Sequence, residues 1–178
     1  PARTTADAKA MRITQQIAEF RTPYTCCQPR VTNIKRGAAI LDGTIIPAGG
    51  TFSLNDALGQ RTAARGFVAA PQINEGRLED AVGGGVSQIA TTMFNAAFFG
   101  GLRLVSHTPH SYWISRYPAG REATVSWGGP ELIVENDWPA AVLIKASADD
   151  SGITIRLYSS TLGRRVTTTS GDTAVEDK

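Results

Sequence analysis

The sequence predicts an α+β fold, a single domain in which N-terminal helices and a buried central helix pack on a mainly antiparallel sheet. Three observations carry this expectation. Apolar residues recur at helical spacing near the start, a nearly uncharged helix-like run follows three glycines in the middle, and short β-type segments separated by turn residues fill the second half. With 178 residues, 42% of them hydrophobic and 19% charged, the chain can bury one core and is neither disordered nor fibrous. Its net charge of +2 comes without a basic block, which points away from a dedicated nucleic-acid binder.

Taken in order, residues 6–20 place Ala10, Ile13, Ile17 and Phe20 at helical spacing. This predicts an amphipathic helix or linker over residues 1–20, leading in from a preceding module and ending at Thr22-Pro23. Asn33 is the expected cap of a helix through Ile34, Ala38 and Leu41 that Gly43 stops. Thr44-Ile45-Ile46 and Thr51-Phe52-Ser53, joined by Pro47-Ala48-Gly49-Gly50, predict a hairpin. A short buried strand at residues 66–70 and a turn at Asn74-Glu75-Gly76 follow. Gly83-Gly84-Gly85 then opens a buried helix over residues 86–99, closed by Gly100-Gly101.

The uncharged stretch at residues 81–102 is about long enough to span a bilayer. Ser87, Gln88, Thr91, Thr92 and Asn95 within it favour buried soluble structure instead. Strands are predicted at residues 102–105, 112–115, 123–127, 132–135, 141–146 and 152–158. The expected domain is residues 21–160, with a polar tail at residues 161–178 that frays from about residue 167. No signal-peptide pattern opens the chain, and Pro1 reads as a boundary within a longer protein.

Several residues are candidates for chemistry. The glycine run delivers Ser87 to a helix N-terminus, where unpaired N–H groups and the helix dipole favour an anion or an oxyanion; equally, serine is a common helix cap. His107 and His110 are the two histidines of the chain, and either suits a general base for a serine or cysteine nucleophile or simply lies in a surface loop. Without a cysteine cluster or a helical glutamate beside them, they make no recognisable metal set, and no cofactor is implied. Arg30, Arg61, Arg65, Arg116 and Arg121 are each either a carboxylate clamp or an ordinary structural cation. Adjacent Cys26 and Cys27 exclude a disulfide framework but leave a vicinal disulfide, two thiols or intermolecular pairing open.

The order of motifs adds what no single one gives. Cys26-Cys27-Gln28-Pro29-Arg30 with Asn33, Pro47-Ala48-Gly49-Gly50-Thr51-Phe52-Ser53-Leu54-Asn55 and Gly59-Gln60-Arg61-Thr62 come first. Then follow Gly83-Gly84-Gly85-Val86-Ser87-Gln88-Ile89-Ala90-Thr91-Thr92-Met93-Phe94-Asn95-Ala96, His110-Ser111 and Tyr117-Pro118-Ala119-Gly120-Arg121-Glu122-Ala123-Thr124-Val125. Together, over about residues 20–158, they resemble the VanW domain family.

The resemblance implies a bacterial, extracytoplasmic, cell-wall-associated domain, often joined to a membrane anchor or to wall-binding modules. The family is named after an accessory protein of some vancomycin-resistance clusters. Some members are L,D-transpeptidases, whose cysteine attacks a peptidoglycan tetrapeptide stem, releases its terminal D-alanine and forms a crosslink. That cysteine belongs to a Gly-Gly-Gly-x-Cys-Gln motif, and Ser87 stands at its place, either as a natural variant or as an inactivating replacement.

On this resemblance Ser87 is the nucleophile position and His110 the base, while Ser87, Gln88, Gly84 and Gly85 frame the oxyanion hole. Arg30, Asn55, Arg61, Gln88 and Tyr117 are the candidate stem-peptide contacts, and Glu122 is placed to orient a partner. Cys27 is an alternative nucleophile if its loop folds onto the Ser87 helix. Three functions follow: an acyl-transfer enzyme with Ser87 in reach of His110, a stem-binding module without turnover, and a structural spacer without a groove. The partners expected are peptidoglycan stems, with neither nucleic acid nor metal.

Overall fold

The computed structural model describes residues 5–24, 28–74, 77–111 and 113–171. Its elements are α1 (Thr5–Ala10), β1 (Gln15–Pro23), α2 (Gln28–Leu41), β2 (Ile45–Ile46), β3 (Thr51–Ser53), α3 (Leu54–Leu58), β4 (Ala69–Asn74), β5 (Arg77–Val82), α4 (Ser87–Phe99), β6 (Arg103–Ser106), β7 (Ile133–Glu135), β8 (Val142–Ala148) and β9 (Gly152–Ser159). The strands form three antiparallel sheets, ordered β1-β9-β8-β2, β3-β7-β6 and β4-β5. The predicted α+β class holds.

The largest sheet follows from simple alternation. In β9, Ile153, Ile155 and Leu157 are fully buried while Arg156 between them turns outward to Glu19 of β1 at 2.6 Å. The inward face meets α4 and α2. Gly37 of α2 is what lets the two helices approach, since a Cβ there would stand 2.3 Å from Ile89 Cδ1 of α4.

Four local expectations are corrected. The predicted helix over residues 6–20 ends at Ala10, and residues 15–23 are β1, paired from Gln15↔Ser159 to Pro23↔Gly152. Arg12, at φ 54°, breaks the helix, and pairing with β9 overrides a spacing that fits period 3.6 as well as period 2. Asn33 does not cap α2 but lies inside it. The β2 and β3 strands do not form a hairpin: they join different sheets, and Asn136 bridges the turn between them through bonds to Ile46 O, Pro47 O and Gly50 O. The predicted buried strand at residues 66–70 gives way to β4 starting at Ala69.

Two predicted strands are also absent. Tyr112 lies outside the described residues, and residues 113–115 are irregular. Residues 121–125 run without a β-ladder because α4 side chains satisfy their backbone instead. Val125 N–H donates to Ser87 Oγ at 3.3 Å, and Ser87 Oγ–H donates to Val125 O at 3.4 Å. Thr91 makes the same two-way pair with Ala123, both at 3.1 Å. Asn95 Nδ2 donates to Arg121 O at 2.8 Å, while Arg121 Nη1 donates to Asn95 Oδ1 at 2.9 Å. Positions 87, 91 and 95 are one helical stripe, so the three rungs clamp alternate residues of the segment.

At the C-terminal side, residues 160–171 hold no helix or strand. Arg164 is nevertheless docked, bonded to Asp137 and Gly101 O and stacked 4.6 Å over Trp138. The expected fraying of residues 172–178 lies outside the described residues.

The central rung is testable without changing shape. Thr91→Val keeps the volume but leaves the Ala123 N–H and C=O unpaired, which costs about 1–3 kcal/mol for each buried group. Urea denaturation is expected to show a lower midpoint at an unchanged slope, and an unchanged midpoint would remove the clamp from the account of the fold.

Candidate active site

A cleft of about 720 Å³ opens over the N-terminus of α4. Gly83, Gly85, Ser87 and Gln88 line one side, His110, Ser111, Arg116 and Tyr117 another, and Val125, Ser126 and Pro130 a third. Sequence reasoning placed Ser87 and His110 together, and both line this cleft. His107 does not; it is exposed and packs against Phe94.

The glycine triplet is dictated by geometry. Gly83 and Gly85 both adopt φ +91°, a region that L side chains rarely enter. A Cβ on Gly84 would lie 2.0 Å from Ala70 O, so strand β4 presses directly on the loop. Asn33 holds the same loop from α2: its Nδ2 donates to Gly84 O at 3.0 Å and Val68 O at 2.9 Å, and its Oδ1 accepts from Val68 N–H at 2.8 Å. Buried inside α2, Asn33 therefore ties three elements together at the site.

This loop leaves two donors unused. Gly84 N–H bonds to Ala81 O, Val86 N–H to Gly83 O and Gln88 N–H to Gly85 O. Among the described residues, the N–H groups of Gly85 and Ser87 meet no acceptor, and both residues line the cleft at the positive end of α4. Of the four residues expected to frame an oxyanion hole, Gly85 and Ser87 keep a free N–H, while the N–H groups of Gly84 and Gln88 are spent within the loop.

His110 is paired with a carboxylate. Its Nδ1 lies 2.8 Å from Glu122 Oε2, and the two side chains are 8% and 14% exposed. The carboxylate accepts, so Nδ1 carries the proton and Nε2 keeps the lone pair. Burial pushes the imidazole below its ordinary pKa, while the bond and charge of Glu122 pull it back up and Arg116 adds a further downward push. Thr124, whose N–H donates to Thr108 O at 2.8 Å, ties the loop that bears His110 to the clamped segment that carries Glu122.

Ser87 and His110 share the cleft without bonding each other. The Ser87 hydroxyl is committed to Val125, the top rung of the α4 clamp.

Other predicted contacts are placed differently. Gln88 is fully buried; its amide oxygen accepts from Arg30 Nη2, and its Nδ-equivalent nitrogen Nε2 donates to Thr22 Oγ1 at 2.9 Å and Pro23 O at 2.8 Å. It fastens α4 to β1 and α2 and has no group left for a ligand. Asn55 and Arg61 are likewise structural: Arg61 Nη1 donates to Asn55 Oδ1 at 2.8 Å, and Asn55 Nδ2 supports the turn at Ser126 O and Pro130 O. Burial lowers the Arg61 pKa. Tyr117 lines the cleft, its ring 5.5 Å from that of His110. Trp113, 79% exposed, stands clear of the lining. Cys27 lies outside the described residues. Among the described residues, no three His, Cys, Asp or Glu side chains converge as metal ligands, and no helix is long and apolar enough to cross a membrane.

Residues 29–158 match the family described as VanW like protein. The chain belongs to the VanW family. Over 148 residues it is 37% identical to YoaR of Bacillus subtilis strain 168, described as an uncharacterized protein. The match covers 83% of this chain and 49% of YoaR, so the chain spans about half the length of that relative. No solved structure matches it significantly. Within the VanW domain described here, the unforeseen parts of the site are Thr91 and Asn95, for which the only signal was a polar i, i+4, i+8 stripe in an apolar helix.

Two substitutions probe the site's construction. Glu122→Gln removes the charge that raises the His110 pKa, so an NMR titration of the imidazole is expected to move its midpoint further down. A midpoint that moves up or stays would dissolve the pair. Gly84→Ala forces a methyl group against Ala70 O, and is expected to lower the denaturation midpoint and weaken any cleft ligand together.

Proposed function

We propose that this VanW domain performs L,D-transpeptidase-type acyl transfer on peptidoglycan tetrapeptide stems. Membership of the VanW family suggests a cell-wall-related protein. The finer reading is supported above all by one observation: a buried His110–Glu122 pair opens on the same cleft as Ser87 and two unpaired N–H groups. An extracytoplasmic location in the cell envelope belongs to the same proposal, with the rest of a longer protein supplying a membrane anchor or wall-binding modules.

In this mechanism Ser87 Oγ leaves Val125 and attacks the stem carbonyl that precedes the terminal D-alanine, as His110 Nε2 takes the hydroxyl proton. Glu122 stabilises the resulting imidazolium and fixes its orientation. The carbonyl oxygen gathers negative charge against the Gly85 and Ser87 N–H groups. His110 then gives its proton to the departing D-alanine nitrogen, leaving an acyl ester on Ser87. An acceptor amine attacks that ester, His110 accepts its proton and returns it to Ser87, and the crosslink is complete.

The bonds from Ser87 to Val125 favour a second reading, a stem-binding module in which the serine is a clamp rung and turnover is absent. Incubation with a disaccharide tetrapeptide, followed by mass spectrometry, separates the two. Enzyme activity is expected to release D-alanine, to vanish in Ser87→Ala and to fall at least about 100-fold in His110→Gln. No product from the wild type or from Ser87→Cys, with stem binding retained, would establish the module. Product from Ser87→Cys alone would mean a competent site that serine silences.

A further inference from the structure

Two arginines line the cleft, Arg30, which is buried, and Arg116, which is exposed. Of the five arginines around the site, Arg30 donates to Gln88, Arg61 to Asn55 and Gly59 O, Arg65 to Leu58 O, and Arg121 to Asn95 while lying 5.0 Å over Phe99. Each of these four is bonded into the fold, although Arg61 Nη2 stays buried without a partner among the described residues. Arg116 is different: it is exposed, lines the cleft and has no carboxylate within ion-pair distance among the described residues. Its recorded contacts are with Tyr117, the guanidinium carbon 4.7 Å over the ring and Nη2 3.5 Å from the hydroxyl.

That stacking orders the guanidinium without neutralising it. Tyr117 is buried, its N–H is bonded to Ile114 O at 2.9 Å, and its ring packs in turn on His110. Arg116 and His110 therefore both contact the Tyr117 ring, which brings a cation and an imidazole to the same part of the cleft. A guanidinium offers paired donors matched to a carboxylate. Glu122 spends Oε2 on His110 and makes no ion pair with Arg116.

We infer that Arg116 is the carboxylate receptor of the cleft, and that the ligand it selects is a peptide ending in a free C-terminal carboxylate beside His110. The inference rests on the cleft binding a peptide and deepens that reading. A carboxylate on Arg116 places the last peptide bond, rather than an interior one, next to the base, which fits a reaction that releases one terminal residue.

Isothermal titration with the disaccharide tetrapeptide and with its C-terminal amide tests this, alongside NMR titration with N-acetyl-D-alanine and N-acetyl-D-alaninamide. The wild type is expected to bind each acid about tenfold or more tightly than its amide. Arg116→Gln should erase the difference and Arg116→Lys restore part of it, with unchanged denaturation midpoints since the side chain is exposed. Equal binding of tetrapeptide acid and amide by the wild type would overturn the role of Arg116 and leave the stem reading standing. Arg116-dependent binding of N-acetyl-D-alanine without binding of either tetrapeptide would uphold the receptor and remove the stem. Silence toward all four probes would overturn both.

Discussion

The VanW domain depends on burying a helix that is polar on two sides. Helix α4 carries no charge, yet Gln88, Thr91, Thr92 and Asn95 are all fully buried. An unpaired polar group in that position would cost more than a typical hydrogen bond contributes, so the surrounding chain must be shaped to answer each one. One side is met by β1, where Gln88 and Thr92 bond to Thr22. The other is met by residues 121–125, which forgo a strand partner and take helix side chains instead. Satisfying α4 therefore decides where Glu122 sits, and Glu122 decides how His110 is held.

The glycine loop answers a different constraint at the same place. Strand β4 approaches so closely that Gly84 has no room for a side chain, while Asn33 reaches from α2 to bond both Val68, just before that strand, and the loop. The loop is thereby fixed by β4 and α2 before any ligand arrives. Preorganisation of this kind matters for oxyanion stabilisation, because donors already held in position need no rearrangement as charge develops. The two N–H groups left over, at Gly85 and Ser87, are by-products of a turn whose other donors are spent internally.

Legibility in the sequence followed the range of the forces involved. The central helix, its glycine approach and the strands β8 and β9 were readable because local periodicity and turn residues agree with the final contacts. Residues 15–20 of β1 were misread as helix because their partner, β9, lies more than a hundred residues away, and nothing local announces it. Residues 123–127 look like a strand for sound reasons, being extended and apolar at alternate positions, but the ladder they join is made of side chains. The site divided in the same way. Ser87 and His110 stood in recognisable motifs, whereas the spending of Arg30, Asn55, Arg61 and Gln88 on internal bonds, and the sparing of Arg116, emerged only when the partners came together.

Serine at position 87 belongs to two networks that want different things from it. As the first rung of the clamp, its hydroxyl both accepts from and donates to Val125, at 3.3 and 3.4 Å, the longest of the three pairs. As a nucleophile it must surrender the donated proton to His110 instead. A thiol at that position would hold Val125 only weakly, being a poor donor and acceptor, and would be ionised more readily by the helix dipole and a neighbouring imidazole. Hydroxyl and thiol thus divide the position's two duties unequally, the one favouring the clamp and the other the chemistry. Because the clamp retains Thr91 and Asn95, it does not need its first rung to hold Glu122 in place. His110, Glu122 and the N–H groups of the loop are assembled independently of what occupies position 87, so under the proposed mechanism the residue there would set the rate without altering the site that surrounds it.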